Sequence, residues 1–207
     1  MFTFSLLLTG YIAANIGPFL FGVTLRTECA VACVDHPNCS SFFYDIDTQG
    51  CYLEKYVYVS SDQLQDRTGV HYYILTSGAC PDAYIYCRFT NQCLRLCNST
   101  LPFPDARTLC VDDSGHLAFI MSEKKNKQAS IVANNNPVWI GLKRDDSSGG
   151  WHWTNGQPLG PYSNWNPNLR NSSGRNYVRL FPSRRWGSSA IGLKLRSLCE
   201  LDIEKKD

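Results

Sequence analysis

The chain has no charged side chain before Arg26, and no acidic one between Pro161 and Leu198. The first absence removes the basic start that a signal peptide normally shows, apart from the amino terminus itself. What remains is a mostly apolar stretch, Met1 to Val23, with Phe2, Phe4, Leu6, Leu7 and Leu8 dense at its front. A membrane anchor needs about 20 apolar residues. The stretch is long enough, but Gly10, Asn15, Gly17 and Pro18 interrupt it. Three readings stay open. The favoured one is a signal peptide over residues 1–19; the second is an uncleaved anchor. The third has Ile12 to Leu25 as the first strand of a folded domain in a chain whose true start lies elsewhere. Beyond Arg26 no apolar run approaches spanning length, so the remainder is expected to be soluble and secreted.

Catalytic signatures are missing as well. No phosphate-binding glycine loop, paired-carboxylate motif or zinc-protease motif occurs. His36, His71, His116 and His152 form no cluster with acids or serines at a recognisable spacing. The expectation is a protein that is not an enzyme and that uses no cofactor and no metal.

Cysteine, by contrast, is plentiful. Ten cysteines in 207 residues, even in number and close in spacing, point to disulfides and an oxidising compartment. Zinc is the rival, since Cys29/Cys33 and Cys93/Cys97 loosely mimic ligand pairs. No Cys/His partner pair at zinc-finger spacing follows either, which favours disulfides. The length suits one large or two small domains, and 18% charged with 13% aromatic residues is a globular profile.

The boundary falls near Ser77-Gly78-Ala79, with Cys29, Cys33, Cys39 and Cys51 on one side and six cysteines on the other. Residues 24–79 are acidic, with Glu28, Asp35, Asp45, Asp47, Glu54, Asp62 and Asp66 against Arg26, Lys55 and Arg67. Cys29 and Cys33 have helical spacing, which puts both sulfurs on one face. Ser40–Tyr44 and Cys51–Leu53 read as strands joined by a turn over Asp45–Gly50, and His71–Leu75 as a closing strand. The C-x3-C-x5-C-x11-C pattern, with Ser-Phe-Phe-Tyr behind its third cysteine, resembles a PAN/apple domain over residues 20–79. That resemblance implies the pairs Cys29–Cys51 and Cys33–Cys39. The alternative is a generic disulfide-stapled small domain; at this size either needs its staples.

Downstream, Trp139-Ile-Gly-Leu142, Trp151-His-Trp-Thr-Asn-Gly156 and Leu198-Cys-Glu200 occur in an order that resembles the C-type lectin-like domain, over residues 80–203. Asp105–Cys110 has the composition of that family's first helix, and Gly115–Ala118 matches its turn into the next strand. Ser122–Ala133 reads as the second helix, begun by Ser122 with Glu123 in its first turn. The expected class is therefore α+β: a disulfide-stapled PAN/apple-like domain before a lectin-like fold of two helices, two small antiparallel sheets and a long loop. The resemblance implies Cys110–Cys199 across the long loop, worth about 4–5 kcal/mol in a chain-entropy picture, and Cys80 with Cys93 in an amino-terminal hairpin. Cys87 and Cys97 are left over where they would bridge that hairpin's strands.

Two departures from the family matter. Its second disulfide falls on Tyr177 and about Ile191, so both sulfurs are gone together; apolar burial of Tyr177 against Ile191 would offset much of the loss. In calcium-dependent relatives Asn-Trp is followed by Glu-Pro-Asn or Gln-Pro-Asp, then Glu, then Trp-Asn-Asp. Here Asn164-Trp165 leads to Leu169, Arg170 and Asn171, then Arg175, then Trp186-Gly-Ser188. Arg170 also displaces the loop-shaping proline. Near the Trp139 tract Asp145 is kept, but Gly149 stands where a Glu is expected. Calcium prefers six to eight oxygens, several of them anionic, so calcium-independent recognition is expected.

The five tryptophans read as buried framework rather than as sugar-stacking platforms. The acid-free stretch carries Arg170, Arg175, Arg179, Arg184, Arg185, Lys194 and Arg196. Arginine forks match sulfate and carboxylate, which makes an anionic glycan a candidate ligand; the alternative is a solvated basic face. The candidate binding residues are Asn168, Arg170, Asn171, Arg175, Arg184 and Arg185. Asn38, Asn98 and Asn171 head glycosylation sequons. A glycan on Asn171 would occupy the position where relatives hold sugar; the alternative is a chance sequon on a polar loop. The expected partner is a glycan or an extracellular protein, not nucleic acid, with the membrane involved only if the amino-terminal segment is an anchor. The competing function is a structural or adhesive matrix protein with no glycan ligand.

Overall fold

The structure is a computed structural model that describes residues 2–13, 19–20, 25–78, 80–145 and 149–203. It divides into two compact units, one built on residues up to Cys93 and the other on Leu94–Asp202. The sequence sets that division earlier, near Ser77.

In the first unit, Phe2–Ile12, read above as part of a leader, forms strand β1. It is followed by β2 (Phe19–Leu20), helix α1 (Arg26–Asp35), β3 (Ser41–Asp45), β4 (Gly50–Glu54), β5 (Gln65–Ser77) and β6 (Ile85–Cys87). The first five strands make a sheet in the order β1-β5-β3-β4-β2. β1 runs antiparallel to β5, from Phe2 opposite Ser77 to Ile12 opposite Gln65. Of the alternative first strand, Phe19 and Leu20 pair with Tyr52 and Cys51, while residues 14–18 and 21–24 lie outside the described residues.

Every residue of β3 is buried because both faces of the sheet are covered. Successive side chains point to opposite faces. Phe43 packs with Ile12, Val57, Val70 and Tyr72 on one, and Phe42 and Tyr44 pack with Leu53, Tyr73 and the α1 cysteines on the other. Cys29–Cys51 and Cys33–Cys39 fasten α1 to that second face. The β3–β4 turn is set by Asp45, whose Oδ1 accepts from the amides of Asp47 (3.0 Å) and Thr48 (3.2 Å). Its Oδ2 accepts from Arg67 at 2.6 Å.

The second unit begins within β7 (Gln92–Leu96) and continues with α2 (Phe103–Asp112), β8 (His116–Leu117), α3 (Glu123–Ala133), β9 (Val138–Arg144), β10 (Trp151–Trp153), β11 (Tyr177–Leu180), β12 (Trp186–Ser189) and β13 (Arg196–Leu201). The sheet runs β12-β11-β9-β13-β7, with β10 on β9 and β8 on β13. The two helices fall where composition sets them. Ser122 Oγ accepts from the Lys125 amide at 3.3 Å to start α3, and Asn134 ends it in the left-handed region, with φ 44°. Cys110–Cys199 joins α2 to β13 across 89 residues of chain.

Two expectations need correction. Cys80 pairs with Cys93, but Cys87 and Cys97 form no bridge; both are buried free cysteines. Cys87 lies 3.5 Å from Ser40 Oγ and 3.5 Å from the Lys55 carbonyl, whereas Cys97 is held to β13 by its amide on Ser197 O at 2.9 Å. Tyr177 gains its packing from Phe103, with ring centroids 4.5 Å apart, while Ile191 is 49% exposed.

Candidate functional site

The long loop rests on four indoles. β10 pairs with β9, so Trp151 and Trp153 point to one side. Trp151 packs on Trp165 at 4.7 Å between centroids, and Trp165 and Trp153 meet Trp186 edge-on at 5.8 and 6.1 Å. All four are buried, as is Trp139; the tryptophans are framework. Arg144 lays its guanidinium 5.0 Å from the centre of Trp151, and two of its nitrogens donate to Asn176 Oδ1 at 3.0 and 3.2 Å. The loop's return arm is thereby tied to β9.

The loop itself is pinned by backbone hydrogen bonds to β12. Trp186 N donates to Asn164 O, Asn166 N to Trp186 O and Ser188 N to Leu169 O, all at 2.7–2.8 Å. Asn164 adds a side-chain clasp: its Nδ2 donates to the Arg184 carbonyl at 2.7 Å, and its Oδ1 accepts from Arg185 at 3.0 Å. Gly187 is needed here, because a Cβ would stand 2.5 Å from the Phe181 ring and 3.3 Å from Leu169 Cβ.

Between the loop and β10 lies a cleft of about 480 Å³, lined by Gly149, Gly150, Trp151, Leu159, Gly160, Pro161, Ser163, Arg170 and Asn171. Two of the six candidate residues, Arg170 and Asn171, are brought together in it. Arg170 is exposed and sits 5.8 Å from the Trp165 ring centre. Asn168 stays nearby, its amide on Asn166 Oδ1 at 3.2 Å. The other three do not line the cleft. Arg184 occupies the β11–β12 turn at φ 64°, Arg185 is tied to Asn164, and Arg175 closes a turn on Ser172 O at 3.2 Å.

Arg179 was not among the candidates, although the same acid-free stretch contains it. Its guanidinium lies 4.3 Å from the Phe181 ring centre. Burial, and then the charge of Arg175, lower its pKa. Asn126 and Asn164, which hold the loop and its neighbouring turn, were likewise absent. Asn164 carries a signal in the Asn-Trp pair, but Asn126 sits in a polar helix with none.

The donor set at the cleft does not suit calcium. Its side-chain oxygens are those of Ser163 and Asn171, beside a cationic Arg170, where the ion needs several anionic oxygens. Asp145 is engaged by Lys143 and His152, each at 2.9 Å. The hydrogen bond from Lys143, with the charges of His152 and Lys143, outweighs the opposing effect of burial and holds its carboxyl below the usual range. Among the described residues no group of three or more His, Cys, Asp or Glu is arranged around a common point. What the cleft offers is a guanidinium fork, an amide, a hydroxyl and an aromatic wall.

The Lectin C-type domain model matches residues 99–201, and the PAN domain model matches residues 10–77. A curated relative, the low affinity immunoglobulin epsilon Fc receptor of Mus musculus, is 30% identical over 112 residues, which is 53% of this chain and 33% of that protein. The chain thus spans about a third of the length of the curated relatives it matches. Among solved structures, the cow C-type carbohydrate-recognition domain of CD23, determined in the presence of a GlcNAc2Man3 oligosaccharide, is 32% identical with a TM-score of 0.54, over 58% of this chain and 94% of that one. A calcium-independent type II antifreeze protein is 25% identical with a TM-score of 0.54, over 60% and 95% of the two chains.

Proposed function

Since the chain belongs to the C-type lectin domain family over residues 99–201, behind a PAN domain at residues 10–77, we propose that it is an extracellular, non-enzymatic recognition protein whose long-loop cleft binds an anionic glycan without calcium. One observation carries this reading: Arg170 and Asn171 line the cleft, and in the sequence resemblance they stand at the last two positions of the Glu-Pro-Asn or Gln-Pro-Asp triplet of calcium-dependent relatives. A guanidinium fork matches a sulfate or carboxylate in both charge and geometry, and Trp151 supplies an apolar wall. The likeness to a calcium-independent antifreeze protein supports the view that this scaffold stands without the ion. The disulfides and the relatives support an extracellular setting. Among the described residues no helix is long and apolar enough to cross a membrane.

The test is a glycan array with sulfated, carboxylated and neutral glycans, run with and without chelator. Sulfated or carboxylated hits should survive chelation and fade as salt rises, because exposed charges are screened beyond about 8–10 Å at physiological ionic strength. Arg170→Ala should weaken them about tenfold, the worth of one hydrogen bond to a charged group. Loss of signal in chelator would overturn the calcium-independent reading. Salt-insensitive binding that ignores Arg170→Ala would transfer it to a protein partner.

A further inference from the structure

The two cysteines outside the disulfides lie in different surroundings. Cys87 sits among oxygens, near Ser40 and Lys55. Cys97 is different: its sulfur lies 3.5 Å from Sγ of Cys199, which is already bonded to Cys110. That is van der Waals contact between a thiol and a disulfide. The backbone keeps the contact in place, since Cys97 N donates to Ser197 O at 2.9 Å, two residues from Cys199. Arg95, also two residues away, is paired with Asp113 at 2.9 Å. Burial, aided by the charge of Asp113, leaves the Cys97 thiol pKa raised, while the charge of Arg95 and its hydrogen bond to the thiol offset only part of the rise.

We propose that Cys97, Cys110 and Cys199 form an exchangeable three-sulfur site, in which Cys97 takes Cys199 from Cys110 and leaves Cys110 as the free, buried thiol. Thiol–disulfide exchange proceeds by attack of a thiolate on one sulfur of a disulfide. The Cys97 sulfur attacks Sγ of Cys199, the Cys97–Cys199 bond forms, and the Cys199–Cys110 bond breaks. Its electron pair leaves on Cys110, which takes up the proton that Cys97 gave up. One thiol and one disulfide are present before and after, so no oxidant or reductant is consumed.

The geometry makes the exchange local. Cys97 and Ser197 are already hydrogen-bonded, so the new link joins segments that the backbone holds together. The old link joins α2 to β13, and its release frees the helix whose first residue, Phe103, packs on Trp139 and Tyr177. The state of the sulfurs is thus mechanically connected to β11, the strand that follows the long loop.

The test uses the full chain, folded and without reductant, incubated at about pH 8, near the ordinary thiol pKa. Aliquots are quenched in acid, unfolded in guanidinium chloride and capped with N-ethylmaleimide so that buried thiols are labelled too, then digested without reduction and mapped by mass spectrometry. We expect a Cys97–Cys199 linkage beside Cys110–Cys199, with label appearing on Cys110 as it declines on Cys97. Cys97→Ser should abolish label on Cys110. Cys110→Ser should recover Cys199 bonded to Cys97. Cys110–Cys199 as the sole linkage to Cys199, with Cys110 never labelled, overturns the proposal. So does label on Cys110 that persists in Cys97→Ser, which would assign the exchange to another thiol. A folded Cys110→Ser chain with Cys199 recovered as a free thiol overturns it as well.

Discussion

The indole nitrogen of Trp186 donates to Oδ1 of Asn126 at 2.8 Å, and Nδ2 of the same asparagine donates to the Arg184 carbonyl at 3.0 Å. One buried amide on α3, 2% exposed, therefore satisfies both the first residue of β12 and the turn before it. In a buried setting each unmade hydrogen bond costs about 1–3 kcal/mol.

Asn126→Ala should accordingly lower unfolding free energy by about 2–4 kcal/mol, read as a shift of the urea midpoint at unchanged slope. Amide exchange in 184–188 should quicken. A midpoint within error of the parent's would show that water replaces the lost amide without penalty.

Gly141 lies in β9 with no room for a side chain. A Cβ there would stand 2.5 Å from the Leu117 carbonyl oxygen and 2.7 Å from the Phe119 ring. Backbone must move to admit even a methyl group, so Gly141→Ala should destabilise the second unit by about 1–3 kcal/mol. Thermal unfolding compares it with Gly192→Ala, where a Cβ meets nothing within 4 Å.

Asp45 gives a pH signature. Burial alone would raise its pKa, but hydrogen bonds from Thr48 and Asp47 and the charge of Arg67 bring it below the usual range. Its stabilising contribution is therefore complete above the unfolded value of about 3.9 and is lost as pH falls through the folded one. Asp45→Asn should be less stable than the parent by about 1–3 kcal/mol at pH 7, with the gap closing in acid below that unfolded value. A gap that stays constant down to about pH 2 would exclude a role for the charge.

Asn171 is exposed and lines the cleft beside Arg170. Expressed through a glycosylating secretory pathway, the chain should carry a glycan there, and Ser173→Ala, which breaks the sequon but keeps the Asn171 amide in the cleft, should remove that mass. Binding to a sulfated glycan should then rise several-fold, since the cleft is uncovered. Equal binding by the two forms would place the glycan clear of the ligand.

Much of the scaffold is legible in the chain because its signals are local. The spacing of Cys29 and Cys33 gives the face of α1, Ser122 gives the start of α3, and the tryptophans sit at the family's framework positions. What escapes is whatever depends on chain far away. Residues 2–6 alternate as Phe-Thr-Phe-Ser-Leu, but the run Leu6–Leu8 breaks the alternation within three residues and looks like a leader, and only β5 reveals their pairing. Cys97 looks like a hairpin partner for Cys87 until β13 brings Cys199 to it from 102 residues downstream. The candidate arginines read as one basic stretch. Yet Asn164 engages Arg185, the turn takes Arg184, and only Arg170 reaches the cleft.

The clasp on the Arg184 carbonyl also has an engineering consequence. Two asparagines, on α3 and in the loop, grip the turn by its main chain and ignore the side chain at that position. The chemistry displayed by Ser183 and Arg184, both exposed, is thereby uncoupled from the fold's integrity. At φ 64° the position excludes bulky β-branched residues, but asparagine, aspartate, glycine and unbranched side chains remain open. A library randomised at these two positions would sample new surface chemistries on an unchanged backbone.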